Sequence, residues 1–98
     1  MRFEWDENKN LVNIKKHRIS FEEAIYVFTD RDAISIFDEE HSESEERWIT
    51  IGKIIYYGII VVVHTERIKN DTEFIRIISA RKATIAEEGE YILRIGGE

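Results

Sequence analysis

Cysteine and proline are both absent from this chain. Without cysteine there is no disulfide, no thiolate nucleophile and no cysteine metal site, so stability has to come from packing. Glycine is also scarce, 5 residues of 98, and two of them form the Gly96-Gly97 tail, so neither a flexible nor a stiff linker is present. Long apolar runs are missing too. The longest, Ile59 to Val63, falls far below the ~20 residues a membrane-spanning helix needs. The first residues, Met1-Arg2-Phe3-Glu4-Trp5-Asp6, lack the basic start, apolar middle and small-residue cleavage site of a signal peptide, and a cytoplasmic location is the expectation.

Charge of one sign is in short supply as well. Fourteen lysines and arginines face 20 carboxylates, giving a net charge of -6. A protein that coats nucleic acid non-specifically needs a broad basic surface, so that class is disfavoured, while a local cationic cleft is still allowed. The balance also suits an acidic face that docks onto a positively charged partner. The segment Asp38 to Glu46 alone holds six carboxylates and reads as a solvated acidic loop. A composition of 43% hydrophobic and 35% charged residues in 98 positions describes one globular domain, residues 1–98.

Local signals predict an α+β fold. Asp6 can cap a helix from about Glu7 to Lys16, with Leu11 and Ile14 turned inward and Lys9, Asn13 and Lys16 on one face. Ser20-Phe21-Glu22-Glu23 is a capping box that opens a second helix whose inner stripe is Phe21, Ala24, Ile25 and Phe28. Strands follow at Ala33 to Phe37, Arg47 to Ile51, Ile55 to His64 and Phe74 to Arg81, with turns at Gly52-Lys53 and at Arg67 to Thr72. Thr84-Ile85-Ala86-Glu87 is another capping box and opens a C-terminal helix through about Leu93. The expected architecture is two N-terminal helices, an antiparallel sheet of three to four strands and a C-terminal helix, with the helices on one face of the sheet.

The chemistry-bearing residues cluster late in the chain. Arg76-Ile77-Ile78-Ser79-Ala80-Arg81-Lys82, after the strand that ends in His64-Thr65-Glu66-Arg67, places many cations beside apolar strands. Such an arrangement suits a phosphodiester, because guanidinium groups contact phosphate oxygens in pairs. Metal-free RNA cleavage also needs proton transfer, for which His64 and His17 are candidates. A hydrogen-bonded structural histidine is an equal reading of His64, and a helix dipole partly explains His17 after Lys15-Lys16. In regular alternation Arg76 and Arg81 point to opposite faces unless a bulge or a strand end separates them, and Arg81 is expected just past the strand. Trp5 reads as a core anchor. Of Tyr56 and Tyr57 only one can serve an open face, and Tyr57 is the candidate for stacking on a base. His41 among carboxylates offers no defined ligand geometry, so no metal and no other cofactor is expected.

Taken in order, Trp5-Asp6-Glu7-Asn8-Lys9, Asn13 with Lys16-His17, and Phe21-Glu22-Glu23-Ala24 resemble the opening signature of the BrnT toxins. His41-Ser42 with Glu45-Glu46-Arg47, the pair Thr65 and Arg67, and Arg76 to Arg81 complete a likeness that covers nearly the whole chain. The resemblance implies a RelE-like ribonuclease of a type II toxin–antitoxin system that arrests translation by degrading RNA. It also implies a BrnA-type antitoxin with a ribbon-helix-helix domain, a 2:2 heterotetramer, and contact with operator DNA only through the antitoxin. Carried over residue by residue, the basic positions are Lys16, His17, Arg47, Arg67, Arg76 and Arg81. The expected division is His64, Arg67, Arg76, Arg81 and His17 in catalysis, and Lys16, Arg47, Lys82 and Tyr57 in RNA binding. A non-catalytic module that only binds its antitoxin is the alternative.

Overall fold

The computed structural model describes residues 1–42 and 45–96. The chain runs β1 (Arg2–Glu4), α1 (Glu7–His17), α2 (Phe21–Ala24), a 3-10 helix (Ile25–Thr29), β2 (Ile34–Phe37), a 3-10 turn (Glu39–His41), β3 (Glu46–Ile54), β4 (Gly58–Lys69), β5 (Thr72–Lys82) and α3 (Ile85–Gly96). Five strands form one sheet in the order β1-β5-β4-β3-β2. The pairs β2–β3, β3–β4 and β4–β5 are antiparallel, and β1 lies parallel to β5. The α+β class with a C-terminal helix agrees with the sequence, while the strand count and the all-antiparallel sheet do not. The strand β1 is three residues long and has no alternation to announce it. Its pairing of Phe3 with Ile75 creates it.

The two predicted turns also move, for different reasons. Gly52 is not a turn residue but a close-approach position inside β3. A Cβ there would meet Val27 Cγ1 at 3.0 Å, so its bare backbone lets the 3-10 helix lie on the sheet. The β3–β4 turn falls instead at Ile55-Tyr56-Tyr57, closed by Gly58 at φ 84. Between β4 and β5 only Asn70 and Asp71 turn, at φ 52 and 64, which is the two-residue hairpin geometry these residue types tolerate. Both long strands therefore extend further than predicted, and Arg67 becomes part of β4.

Asp6 caps α1 as expected, accepting from the Asn8 and Lys9 amides at 2.8 and 3.2 Å. The helix is rotated relative to the expectation: Leu11 and Ile14 are exposed, and Asn10 and Asn13 are buried. Asn13 explains the rotation. Its amide donates to the Ala80 carbonyl at 2.9 Å and accepts from the Ala80 N–H at 3.1 Å, satisfying the edge of β5 beyond the end of β1. Asn10 accepts from the Phe21 amide at 2.8 Å and so fixes the start of α2. The capping box at Ser20 and Glu23 is present, but the α-helix it opens lasts four residues before tightening into the 3-10 helix.

Helices cover both faces of the sheet rather than one. On the first face, Ile60, Val62, Ile75, Ile77 and Ala80 pack under Ile19, Phe21, Ala24 and Val27, with Phe3, Trp5 and Phe28 alongside. Trp5 is thus a core neighbour, as its sequence position suggests. On the second face, Ile51 and Val61 pack with Tyr91 of α3. Tyr91 donates to Asp30, which also accepts from the Lys53 amide at 2.8 Å, so one carboxylate ties α3 and β3 to the end of the 3-10 helix. No helix among the described residues is long and apolar enough to cross a membrane.

Candidate active site

The register of β4 and β5 decides where the cations point. From the hairpin upward, Arg67 pairs with Phe74, Thr65 with Arg76 and His64 with Ile77. The next pair is Val63 with Ser79, so Ile78 is an extra residue at a bulge. Because the bulge absorbs one position, Arg76 and Arg81 lie on the same face in spite of their odd spacing. Arg81 lies within β5 rather than beyond it. The alternation places Arg47 of β3, paired with Thr65, on this second face as well. Four arginines from three adjacent strands therefore share one side of the sheet, on the portion α3 leaves free and along its margin.

The four differ in what they already hold. Arg67 donates to Glu4 at 3.0 Å, and its guanidinium lies 5.7 Å from the centre of the Phe74 ring. The side chain is thereby laid across β5 toward β1. Arg81 is engaged twice by Glu87, at 2.8 and 2.9 Å. Glu87 also completes the α3 capping box, accepting from the Thr84 amide at 2.8 Å. The Arg81 guanidinium, opposed by partial burial and aided by Thr84, holds the Glu87 carboxyl down to about 2. Arg47 has a looser partner, Asp38 at 3.8 Å, and its Nε makes no hydrogen bond. Arg76 is exposed, lies beside Glu4 and Trp5, and forms no ion pair among the described residues. It is the cation with the greatest freedom to take a phosphate.

A cleft of about 330 Å³ opens between α1 and β5, lined by Asn8, Lys9, Val12, Asn13, Lys16, His17, Ile78 and Ser79. Lys9, Lys16 and His17 reach it because they share a side of α1 with Asn13, which is pinned to β5. Ile78 reaches it because it is the bulged residue. Ser79 belongs to both regions: it lines the cleft and lies between Arg76 and Arg81 on the arginine face. Lys16 and His17 are thus contiguous with the arginines through one residue of β5.

Three other predicted residues lie elsewhere. His64 is fully buried on the first face, edge-on to Phe28 at 4.9 Å, with Nε2 sharing a 2.7 Å hydrogen bond with the Thr50 hydroxyl. Burial lowers its pKa to about 4, against a weaker opposing pull from the Thr65 backbone. The expectation that it faces a cleft is therefore not met: β4 continues five residues past it, and its parity turns it inward. Tyr57 packs against the first core, half-buried, and donates to Glu23, which raises its pKa. Tyr56, at the turn, is 95% exposed. Lys82 pairs with Ile60 and so belongs to the first-face parity, opposite Arg81, beside Tyr57 and Glu88.

Sequence reasoning missed Glu4 as the partner of Arg67 and Ser79 as the residue that joins the arginine face to the cleft. Glu87, six residues after Arg81, was legible as the carboxylate of a capping box at the start of α3. His41, bonded to Asp38 at 2.9 Å, closes the acidic turn, and no group of three potential ligands among the described residues is placed to hold a metal ion.

Comparison with curated proteins finds no match. Comparison with family models finds one, over residues 5–87, described as the ribonuclease toxin, BrnT, of type II toxin-antitoxin systems. The match takes in α1, all three long strands, the arginine face and the cleft. The chain belongs to the BrnT family of ribonuclease toxins.

Proposed function

We propose that the protein cleaves RNA on the arginine face, with Arg76 and Arg81 holding the scissile phosphate and His17 moving protons from the adjoining cleft. The observation that carries this reading is the bulge at Ile78, which aligns Arg76, Ser79 and Arg81 on one face and joins them to Lys16 and His17. In the reaction the 2′-oxygen bonds to phosphorus as the 5′-oxygen leaves. One proton departs from the 2′-hydroxyl and one is delivered to the 5′-oxygen. His17 takes one of these transfers, while guanidinium groups stabilise the extra charge on the phosphorane. Arg67 and Arg47 extend the cationic track for flanking phosphates, and Lys16 lies on the cleft side.

The family membership supports an antitoxin partner and an RNA substrate. By the resemblance described above, we infer a RelE-like mode of action that stops translation. The inferred antitoxin is BrnA-like with a ribbon-helix-helix domain, assembles two by two with the toxin, and alone contacts operator DNA. One observation favours the non-catalytic alternative: Arg81 is already fully engaged by Glu87. The two readings separate on incubating purified protein with end-labelled single-stranded RNA. Cleavage that leaves 2′,3′-cyclic phosphate and 5′-hydroxyl ends, and that is lost in His17→Ala, is expected. Intact RNA at micromolar protein favours a partner-binding role, and 5′-phosphate ends contradict the chemistry.

A further inference from the structure

At the hairpin end of β3, β4 and β5, on the face opposite the arginines, three carboxylates converge. Glu46 and Glu66 are direct cross-strand partners, and Glu73 pairs with Ile68 one strand further on. With Arg67 and Ile68 they line a notch of about 260 Å³. Like charges directly opposite one another in a ladder are destabilising. None of the three carboxylates pairs with a lysine or arginine among the described residues, and the Arg67 guanidinium is committed to Glu4. Burial, then Glu73 and Glu46, push the Glu66 carboxyl upward. A second, independent feature points into the same place. The buried His64 directs Nδ1 toward Glu66 Oε1 at 3.8 Å, and that nitrogen makes no well-aligned hydrogen bond. The three carboxylates therefore have no cation of their own, the Arg67 that lines the notch being paired with Glu4, and a buried polar atom behind them lacks a settled partner.

We propose that this notch receives a lysine or arginine side chain of the antitoxin, its aliphatic stem lying along Ile68 and its charged head between Glu66, Glu46 and Glu73. The exposed Ile68 beside carboxylates matches the two halves of such a side chain. A cation seated there keeps Glu66 ionised, and Glu66 then serves as the acceptor for His64 Nδ1–H. The acidic net charge of the toxin draws a basic partner segment to this surface. The proposal rests on the family's antitoxin partner and is independent of where, or whether, RNA is cut.

The test uses the full chain labelled with ¹³C, titrated with an acetylated hexa-arginine peptide and, in parallel, a hexa-glutamine control. The side-chain carboxyl signals of Glu46, Glu66 and Glu73 report binding. Saturable shifts centred on these three are expected with the arginine peptide alone. The Glu66→Gln, Glu73→Gln double variant should bind about tenfold more weakly, the scale of losing paired charges. Replacing repelling carboxylates is compatible with folding, and RNA cleavage by the double variant should match the wild type. Shifts centred on the acidic residues Asp38 to Glu40, with affinity unchanged in the double variant, would overturn the proposal. Magnesium or calcium moving the same signals at lower concentration than the peptide would replace it with a metal site. A wild-type protein that binds the peptide but cuts no RNA would refute the nuclease reading and leave this one standing.

Discussion

The two faces of the β4–β5 hairpin each carry titratable side chains and use them in opposite ways. On one face His64 is enclosed by Phe28 and Thr50 and held neutral by burial. On the other, Arg67, Arg76 and Arg81 stand on the surface or near it, each with different prior commitments. What separates the two is parity: His64 and Arg67 are three residues apart in β4 and so face opposite ways, while in β5 the bulged Ile78 brings Arg81 to the side of Arg76. A titratable side chain near the end of a strand is thus no guide to chemistry until the register is known.

The largest expected effect comes from Arg76. Replacing it with alanine removes an exposed cation that holds no structural ion pair, so cleavage should fall about 100-fold or more while the melting temperature is unchanged. A comparable fall in melting temperature would mean that the arginine face, like its opposite, is structural.

His64→Ala should behave in reverse. It leaves a cavity and takes from the Thr50 hydroxyl one of its two partners, the other being Ser35, costing on the order of 3 kcal/mol in denaturant unfolding, while the folded fraction still cuts RNA. The same contrast appears with pH. The folded-state pKa of His64 is about 4, below its unfolded value near 6.5, so the unfolded chain binds the proton more readily. Stability should therefore be intact above the unfolded value and decline as pH falls from there toward about 4, and His64→Gln should flatten that decline.

Glu87→Gln is a smaller perturbation. It weakens the clamp on Arg81 and the α3 cap, and should lower stability by about 1 kcal/mol. With its carboxyl held to about 2, the wild-type contribution is complete above the ordinary carboxylate range and is lost as pH falls through about 2. Freeing Arg81 should also tighten RNA binding, seen as a lower KM. An unchanged KM would show that Arg81 serves α3 and not the substrate.

Tyr57→Phe should do least. It forfeits one hydrogen bond to Glu23, should leave the melting temperature nearly unchanged, and leaves RNA binding by fluorescence anisotropy untouched. Weaker RNA binding would restore Tyr57 to the substrate surface.

Much of this was legible in the sequence where interactions are local. The Asp6 cap and the boxes at Ser20 and Thr84 involve partners within three residues, and all three are present. The basic set was visible as composition. What was not legible depended on distant partners. Asn13 looks like a surface polar residue until Ala80 presents its free edge 67 positions away. The strand Arg2–Glu4 exists only because β5 pairs with it. Gly52 reads as a turn until Val27 packs on it. The sequence could state that Arg76 and Arg81 need a bulge to act together, but only the ladder shows that Ile78 supplies it.

The two-face account is tested most directly by titrating the protein with a short RNA whose 2′-hydroxyls are methylated, so that it binds without being cut. Arginine Nε–Hε and histidine ring signals would be followed by nuclear magnetic resonance. The account predicts that Arg76, Arg81 and His17 shift together with the RNA, with smaller changes at Arg67 and Arg47, while His64 stays still. Shifts centred on His64 and Tyr57, with the arginines unmoved, would contradict it.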